Sequence, residues 1–202
     1  MKKQKKLKIL AASDIHGDIN TVKKLVEKAE QENVDLVILA GDITGVLETE
    51  NLIKPFIDKK KRVVFVPGNW DSSIAADTLS KLYGIKNVGD RYVIYDNIGI
   101  FGIGSPDWQM SLNENKAFEK LKKDFDKIKN LEKKILISHI HAAGTKAEFS
   151  GVSGSLALRK AIEEFQPDIF LSGHIHEAEG LNEQIGKTKI YNIGRKGMII
   201  EI

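Results

Sequence analysis

Short apolar runs rich in Val, Ile and Leu alternate along the chain with longer stretches in which apolar residues recur at helical spacing. This is the pattern of buried strands joined by amphipathic crossovers. The first run, Leu7 to Ser13, precedes a segment whose Val22, Leu25, Val26 and Ala29 fall at i, i+3, i+4 and i+7, one face of a helix. Val34 to Ala40 predicts a second strand. Leu52, Ile53, Phe56 and Ile57 then predict a helix with Pro55 in its first turn or at a kink. Arg62 to Val66 reads as a third strand, after which Ile74, Leu79 and Leu82 lead to Gly84, a residue suited to a helix C-terminus. Tyr92 to Tyr95 and Ile98 to Ile103 flank Asp96-Asn97 as a hairpin. Lys134 to Ser138 and Asp168 to Ser172 predict strands separated by a Gly/Ser-rich loop and a helix stopped at Pro167. Thr188 to Ile193 and Lys196 to Ile202 close the chain as strands, and the fold class is α/β.

One stretch departs from this rhythm. Ser105 to Lys134 is polar and Lys-rich, with Phe118, Leu121, Phe125 and Ile128 as the inner face of an exposed helix, so residues 105–134 are the candidate lid or insertion. At 202 residues and 42% hydrophobic content the chain can bury one substantial core, and a single domain over 1–202 is expected. The net charge of +3 comes largely from Lys2, Lys3, Lys5, Lys6 and Lys8. No basic stripe with interleaved aromatics follows that run, so residues 1–6 read as a flexible solvated tail and nucleic acid is not indicated as a partner. Leu7 to Ala12 falls short of a signal-peptide apolar region, and no run approaches the roughly 20 residues that span a bilayer, so a cytoplasmic location without a membrane partner is expected. The absence of cysteine removes disulfides, thiolate ligands and a thiol nucleophile, and leaves nitrogen and oxygen to hold any metal.

The chemistry lies where the predicted strands stop. Five core strands end in Asp14-Ile15-His16, Gly41-Asp42, Gly68-Asn69-Trp70-Asp71, Ser138-His139-Ile140-His141 and Gly173-His174-Ile175-His176. A single histidine beside a core strand is usually structural, but all five histidines of the chain fall in these segments, which that reading does not suit. Open α/β sheets gather ligands outside the carboxyl ends of their strands, so the segments should meet in one crevice. Residues at i and i+2 of an extended chain face the same way, which lets Asp14 with His16, and His174 with His176, address one locus. Glycines at 17, 41, 68 and 173 suit a backbone that turns sharply or approaches an ion closely.

In that order, D-x-H, G-D, G-N-x-D, H and G-H-x-H resemble the calcineurin-like metallophosphoesterase superfamily from Leu7 to about Ile193. The resemblance is to its small single-domain branch: Gly41-Asp42-Ile43-Thr44-Gly45 lacks the second aspartate and the arginine of the protein phosphatases' G-D-x-x-D-R-G. It implies a four-layer α-β-β-α sandwich of two mixed sheets flanked by helices, and a pair of divalent ions. One would be held by Asp14, His16 and His176, the other by Asn69, His139 and His174, with Asp42 bridging. Such a pair, about 4 Å apart, holds a bridging hydroxide that attacks a phosphate ester in line, without a protein nucleophile. Mn²⁺ is the first choice, and imidazole with carboxylate also accommodates Fe, Co, Ni or Zn. With Asp14 and Asp42 the only ligand carboxylates, formal counting leaves an excess of about +2 for the substrate phosphate. The catalytic set is then Asp42 and Asn69, with His141 as a further candidate.

Trp70 departs from the resemblance, since many members carry histidine there to protonate the leaving group. An indole N–H has no useful acidity. His141, two residues beyond a predicted ligand, either compensates or plays a supporting or structural part. The expected substrate is a small phosphorylated molecule, with phosphodiesters or activated aryl esters favoured over alkyl monoesters. A second reading is a phosphoesterase-like fold kept as a binding or scaffolding module, for which Trp70 is the direct support. A nuclease would use the same chemistry but has no groove signature here, and nothing supports an oligomer. Asp71 is expected to shape the turn after Asn69 rather than act in catalysis, Asp18 to cap a helix rather than bind metal, Trp108 beside Asp107 to pack its loop rather than stack on a nucleobase or aryl group, and Arg195 to lie on the surface rather than meet a phosphate.

Overall fold

A strand whose successive residues are all apolar needs a covering layer on both faces. In the computed structural model, which describes residues 6–45, 51–89 and 91–202, that requirement produces two sheets packed face to face with helices outside them. The basic tail expected over residues 1–6 lies, apart from Lys6, outside the described residues.

The chain runs β1 (Lys8–Ala12), α1 (Ile19–Gln31), β2 (Leu36–Ala40), α2 (Lys54–Asp58), β3 (Arg62–Val66), α3 (Ser73–Tyr83) and β4 (Lys86–Asn87). It continues with β5 (Val93–Tyr95), β6 (Ile98–Ile103), α4 (Glu114–Ile128), β7 (Lys133–Ser138), α5 (Leu156–Phe165) and β8 (Ile169–Ser172). The last strands are β9 (Asn182–Ile185), β10 (Thr188–Asn192) and β11 (Met198–Glu201). The first sheet has the order β11-β1-β2-β3-β4, parallel except for β11. The second has the order β5-β6-β7-β8-β10-β9, with its four inner strands parallel and both edges antiparallel.

Side-chain alternation sorts the core into three layers. Leu10, Val37, Leu39 and Phe65 pack outward on Val22, Leu25, Phe56 and Leu79 of the first helical layer. Their neighbours Ile9, Ala11, Ile38, Val64 and Val66 point the other way, onto Ile100, Ile135, Ile137 and Leu171 of the second sheet. Phe101, Leu136 and Phe170 then face Leu121, Ile128, Leu158 and Ile162 on the far side. Burying each such side chain is worth about 1.5–3 kcal/mol. The result is an α-β-β-α sandwich of two mixed sheets, as the resemblance implied.

Local chemistry explains most element ends. Asp18 caps α1 by accepting from Asn20 N and Thr21 N, Ser72 caps α3, and Gly84 ends α3 in the left-handed region at φ 67°. Pro55 occupies the first turn of α2. Asp96 and Asn97, at φ 44° and 67°, make the two-residue turn between β5 and β6. Residues 105–134 divide into a loop and α4, which buries Phe118, Leu121 and Ile128 as the crossover between β6 and β7. Two apolar positions read into α3 prove exposed: Ile74 and Leu82 face solvent, and Ala76 with Leu79 make the buried face. Among the described residues no helix is long and apolar enough to cross a membrane.

Candidate metal centre

Because β1, β2 and β3 are parallel in one sheet, and β7 and β8 in the other, their carboxyl ends open onto the seam between the sheets. Backbone hydrogen bonds carry the β1–β2 pairing past the strands: Asp14 N donates to Gly41 O (3.0 Å), His16 N to Asp42 O (2.8 Å) and Gly17 N to Ile43 O (3.0 Å). Across the second sheet Gly173 N donates to His139 O (3.0 Å). Asp14, His16, Asp42 and His174 all take positive φ, between 50° and 69°. Such backbone is uncommon outside glycine, and here it turns each side chain from strand direction into the seam. Three glycines permit the closest approaches, and a Cβ on Gly41 would meet the His139 ring. A Cβ on Gly68 would collide with the Asp42 carboxylate and backbone, and one on Gly173 with Ser13 and the Asp14 carboxylate.

The predicted residues converge. His176 Nε2 lies 3.3 Å from Asp14 Oδ1 and 3.4 Å from His16 Nε2. Asp42 Oδ2 stands 3.7 Å from His16 Nε2 on one side and 3.3 Å from His139 Nε2 on the other. Asn69 Oδ1 is 3.0 Å from the same His139 Nε2. Two groups could therefore hold a metal ion: Asp14, His16 and His176, and Asp14, Asp42 and His139, each with its ligand atoms within 4.8 Å of one another. His174 enters neither group. Its ring lies against that of His139, 5.0 Å between centroids, and its backbone N–H approaches both Asp14 carboxylate oxygens at 3.3 Å.

The donor set fits a cation on its own chemistry. His139 is fully buried, and its Nδ1 meets Ala40 O at 2.9 Å. A carbonyl only accepts, so Nδ1 carries a proton, and in the neutral imidazole Nε2 would turn a lone pair toward Asn69 Oδ1 and Asp42 Oδ2. Three acceptors facing one another in a buried space need a cation or a proton among them. The charges respond accordingly. Burial alone would depress His139, but the Asp42 carboxylate raises it above the ordinary histidine value. Burial would likewise raise Asp42, yet its hydrogen bond and charge contact with His139, the Trp70 N–H and His16 hold it below the usual carboxylate range. Burial lowers His16, against the pull of Asp42 and Asp14. Burial and the neighbouring His139 push His174 down to about 4, which keeps it a neutral imidazole near neutral pH.

Supporting residues surround this floor, and some are not evident from spacing. Asp71, 2% exposed, accepts from Gly68 N (2.9 Å), Ile43 N (3.0 Å), Thr44 N (2.8 Å) and Thr44 Oγ1 (2.8 Å). It shapes the turn after Asn69 and also clamps that turn to the loop after β2, whose donors lie 27 and 28 residues away. Burial pushes its carboxyl upward, against those donated hydrogen bonds. Trp70 contributes its backbone, whose N–H donates to Asp42 Oδ1 (2.9 Å) and leaves Oδ2 facing the histidines. Ser13 Oγ donates to Asp14 Oδ2. His141 is buried, with burial lowering its pKa, and its Nε2 lies 3.2 Å from Val152 O in the loop after β7. Arg195 lies 3.6 Å from Asp18. The expectation that Trp108 packs its loop is corrected: the side chain is 65% exposed and rests on Trp70, itself 42% exposed.

A family model described as calcineurin-like phosphoesterase matches residues 7–178. Comparison with curated proteins found no match. Among solved structures, TT1561 of Thermus thermophilus shares the fold with a TM-score of 0.75 at 19% identity, covering 96% of this chain and 98% of that one. A dimetal phosphatase from Danio rerio gives 0.61 at 14% identity, covering 94% and 88%. A novel archaeal phosphodiesterase gives 0.52 at 18%, covering 96% and 98%. The two-sheet sandwich, the strand-end ligand cluster and the matched family model agree, and the chain belongs to the calcineurin-like phosphoesterase family.

Proposed function

We propose that the protein is a two-metal phosphoesterase. Asp14, His16 and His176 would hold one ion and Asn69, His139 and His174 the other, with Asp42 between them and Mn²⁺ as the ion to test first. The observation that carries this reading is the position of Asp42 Oδ2, which faces His16 of one group and His139 of the other at 3.7 and 3.3 Å. A bound ion pair supplies Lewis-acid polarisation of the phosphoryl oxygens and a nucleophile drawn from water at neutral pH.

The chain's own residues prepare the site for that chemistry. Asn69 adds a neutral oxygen, so the floor binds cations with two carboxylates and keeps net positive charge for a phosphate. Ala40 O fixes the His139 tautomer, and the Trp70 N–H fixes the Asp42 rotamer. Where the family resemblance leads one to expect a histidine acid, the Trp70 indole offers none, so esters with good leaving groups suit the site best: phosphodiesters and activated aryl esters. A small phosphorylated molecule is the substrate class.

The test is hydrolysis of bis-p-nitrophenyl phosphate and p-nitrophenyl phosphate by Mn²⁺-reconstituted protein, wild type and Asp42→Asn. The expected result is turnover of both by wild type, faster for the diester, and none by Asp42→Asn. A strong monoester preference would sink the diester reading, and an Asp42→Asn protein with unchanged activity would overturn the bridging role.

A further inference from the structure

Both tryptophans of the chain stand together at the rim of the metal-binding floor. Their ring centroids are 4.8 Å apart with planes tilted by 56°, and the Trp70 ring lies edge-on to His16 at 5.6 Å. At 42% and 65% exposure, neither indole fills the core. The loop that carries Trp108 adopts a conformation that folding alone does not reward. Asp107 and Trp108 take consecutive positive φ values of 60° and 64°, a region in which a bulky side chain is an outlier. Of the twelve non-glycine residues with positive φ among those described, six lie in or beside this site: Asp14, His16, Asp42, Asp107, Trp108 and His174.

That conformation is pinned to the ligand-bearing segment. Ser105 N donates to Pro67 O (3.0 Å), Asp107 N to Asp71 O (3.0 Å) and Trp108 N to Asn69 O (2.8 Å), while the Asp107 carboxylate accepts from Ser73 N (3.0 Å) and Ser73 Oγ. Five hydrogen bonds thus hold a strained backbone whose outcome is an exposed indole beside the floor. Strain kept up by surrounding contacts is characteristic of sites that hold a ligand. Each indole offers a planar face, the two inclined to one another, and the pair borders the site where a phosphate would bind.

Resting on the phosphoesterase reading above, we propose that Trp70 and Trp108 form a stacking platform for a planar aromatic group of the substrate. The substrate class is then aryl or nucleoside phosphates. Trp108 determines specificity and takes no part in the phosphoryl chemistry. Stacking of one base on aromatic side chains is sequence-tolerant and strengthens binding by about tenfold or more.

The experiment compares AMP with ribose 5-phosphate, which carry like phosphates and differ by the base. Binding to Mn²⁺-reconstituted protein is measured by calorimetry, with intrinsic fluorescence as a second readout, because Trp70 and Trp108 are its only tryptophans. AMP should bind about tenfold more tightly than ribose 5-phosphate and quench the indoles. Trp108→Gly, which tolerates positive φ and retains the N–H to Asn69, should bring AMP affinity down to that of ribose 5-phosphate. It should leave ribose 5-phosphate affinity unchanged, and Trp108→Phe should restore most of the difference. Equal affinity of wild type for the two ligands, or a full AMP preference in Trp108→Gly, would overturn the platform. If metal-loaded wild type binds neither phosphate, the phosphoesterase reading itself fails.

Discussion

Asp14, Asp42, Asn69 and His139 are at most 4% exposed, whereas Trp70 and Trp108, held on the same turn and the loop bonded to it, are 42% and 65% exposed. The floor is positioned through its side chains. Each polar atom answers another, as His139 does with Ala40 O, Asn69 and Asp42, so a change to one member strands its partners in a dry space. The rim is positioned through its backbone. Trp70 N–H binds Asp42 and Trp108 N–H binds Asn69 O, so the backbone contacts survive a change of either indole, and the Trp70 ring meets the floor only edge-on at His16. If the floor holds metal and the rim holds substrate as proposed, the two functions should separate by mutation.

The largest expected effect that would sharpen this contrast comes from Gly68→Ala. The new Cβ would occupy the space of the Asp42 carboxylate and force it aside. Mn²⁺ affinity and turnover should fall more than about 100-fold, beyond the range for residues that merely orient ligands, with the circular dichroism spectrum retained. Asp71→Ala should act next, on stability. It leaves three buried N–H groups and one hydroxyl without their acceptor, and denaturant unfolding should show a loss of about 3 kcal/mol. The smallest structural effect belongs to Trp70→His. The backbone N–H to Asp42 survives, so stability should change by less than about 1 kcal/mol. The new imidazole beside the floor should raise turnover of an alkyl monoester such as ribose 5-phosphate about tenfold, short of the full range of acid catalysis, and change that of p-nitrophenyl phosphate little, since its leaving group needs no acid. A Trp70→His protein that loses its metal would break the contrast between floor and rim.

Much of the floor is legible in the sequence because the chemistry sits on strand ends, and strands rich in Val, Ile and Leu announce themselves. Arg62 to Val66 reads correctly to the residue, and D-x-H, G-D, G-N and G-H-x-H mark their own positions along parallel strands. The strands that go unread have no such signal: β9 is Asn182–Ile185, a polar edge strand paired on one side, and β4 is two residues long. α3 misleads at Ile74 and Leu82 because two exposed apolar residues mimic its inner face. Asp71 reads only as a turn residue, since three of its four bonds reach a loop remote in sequence. Trp108 reads as loop packing for a similar reason: its strained backbone and its placement on Trp70 arise from hydrogen bonds to Asn69 and Asp71, which no local pattern encodes.

The most direct test of the shared Asp42 is the metal content of Mn²⁺-reconstituted protein, measured by elemental analysis after removal of free metal, for wild type beside Asp42→Asn. Two ions per chain in wild type and at most one in Asp42→Asn is the predicted result; less than one ion in wild type, or two in both, would contradict it.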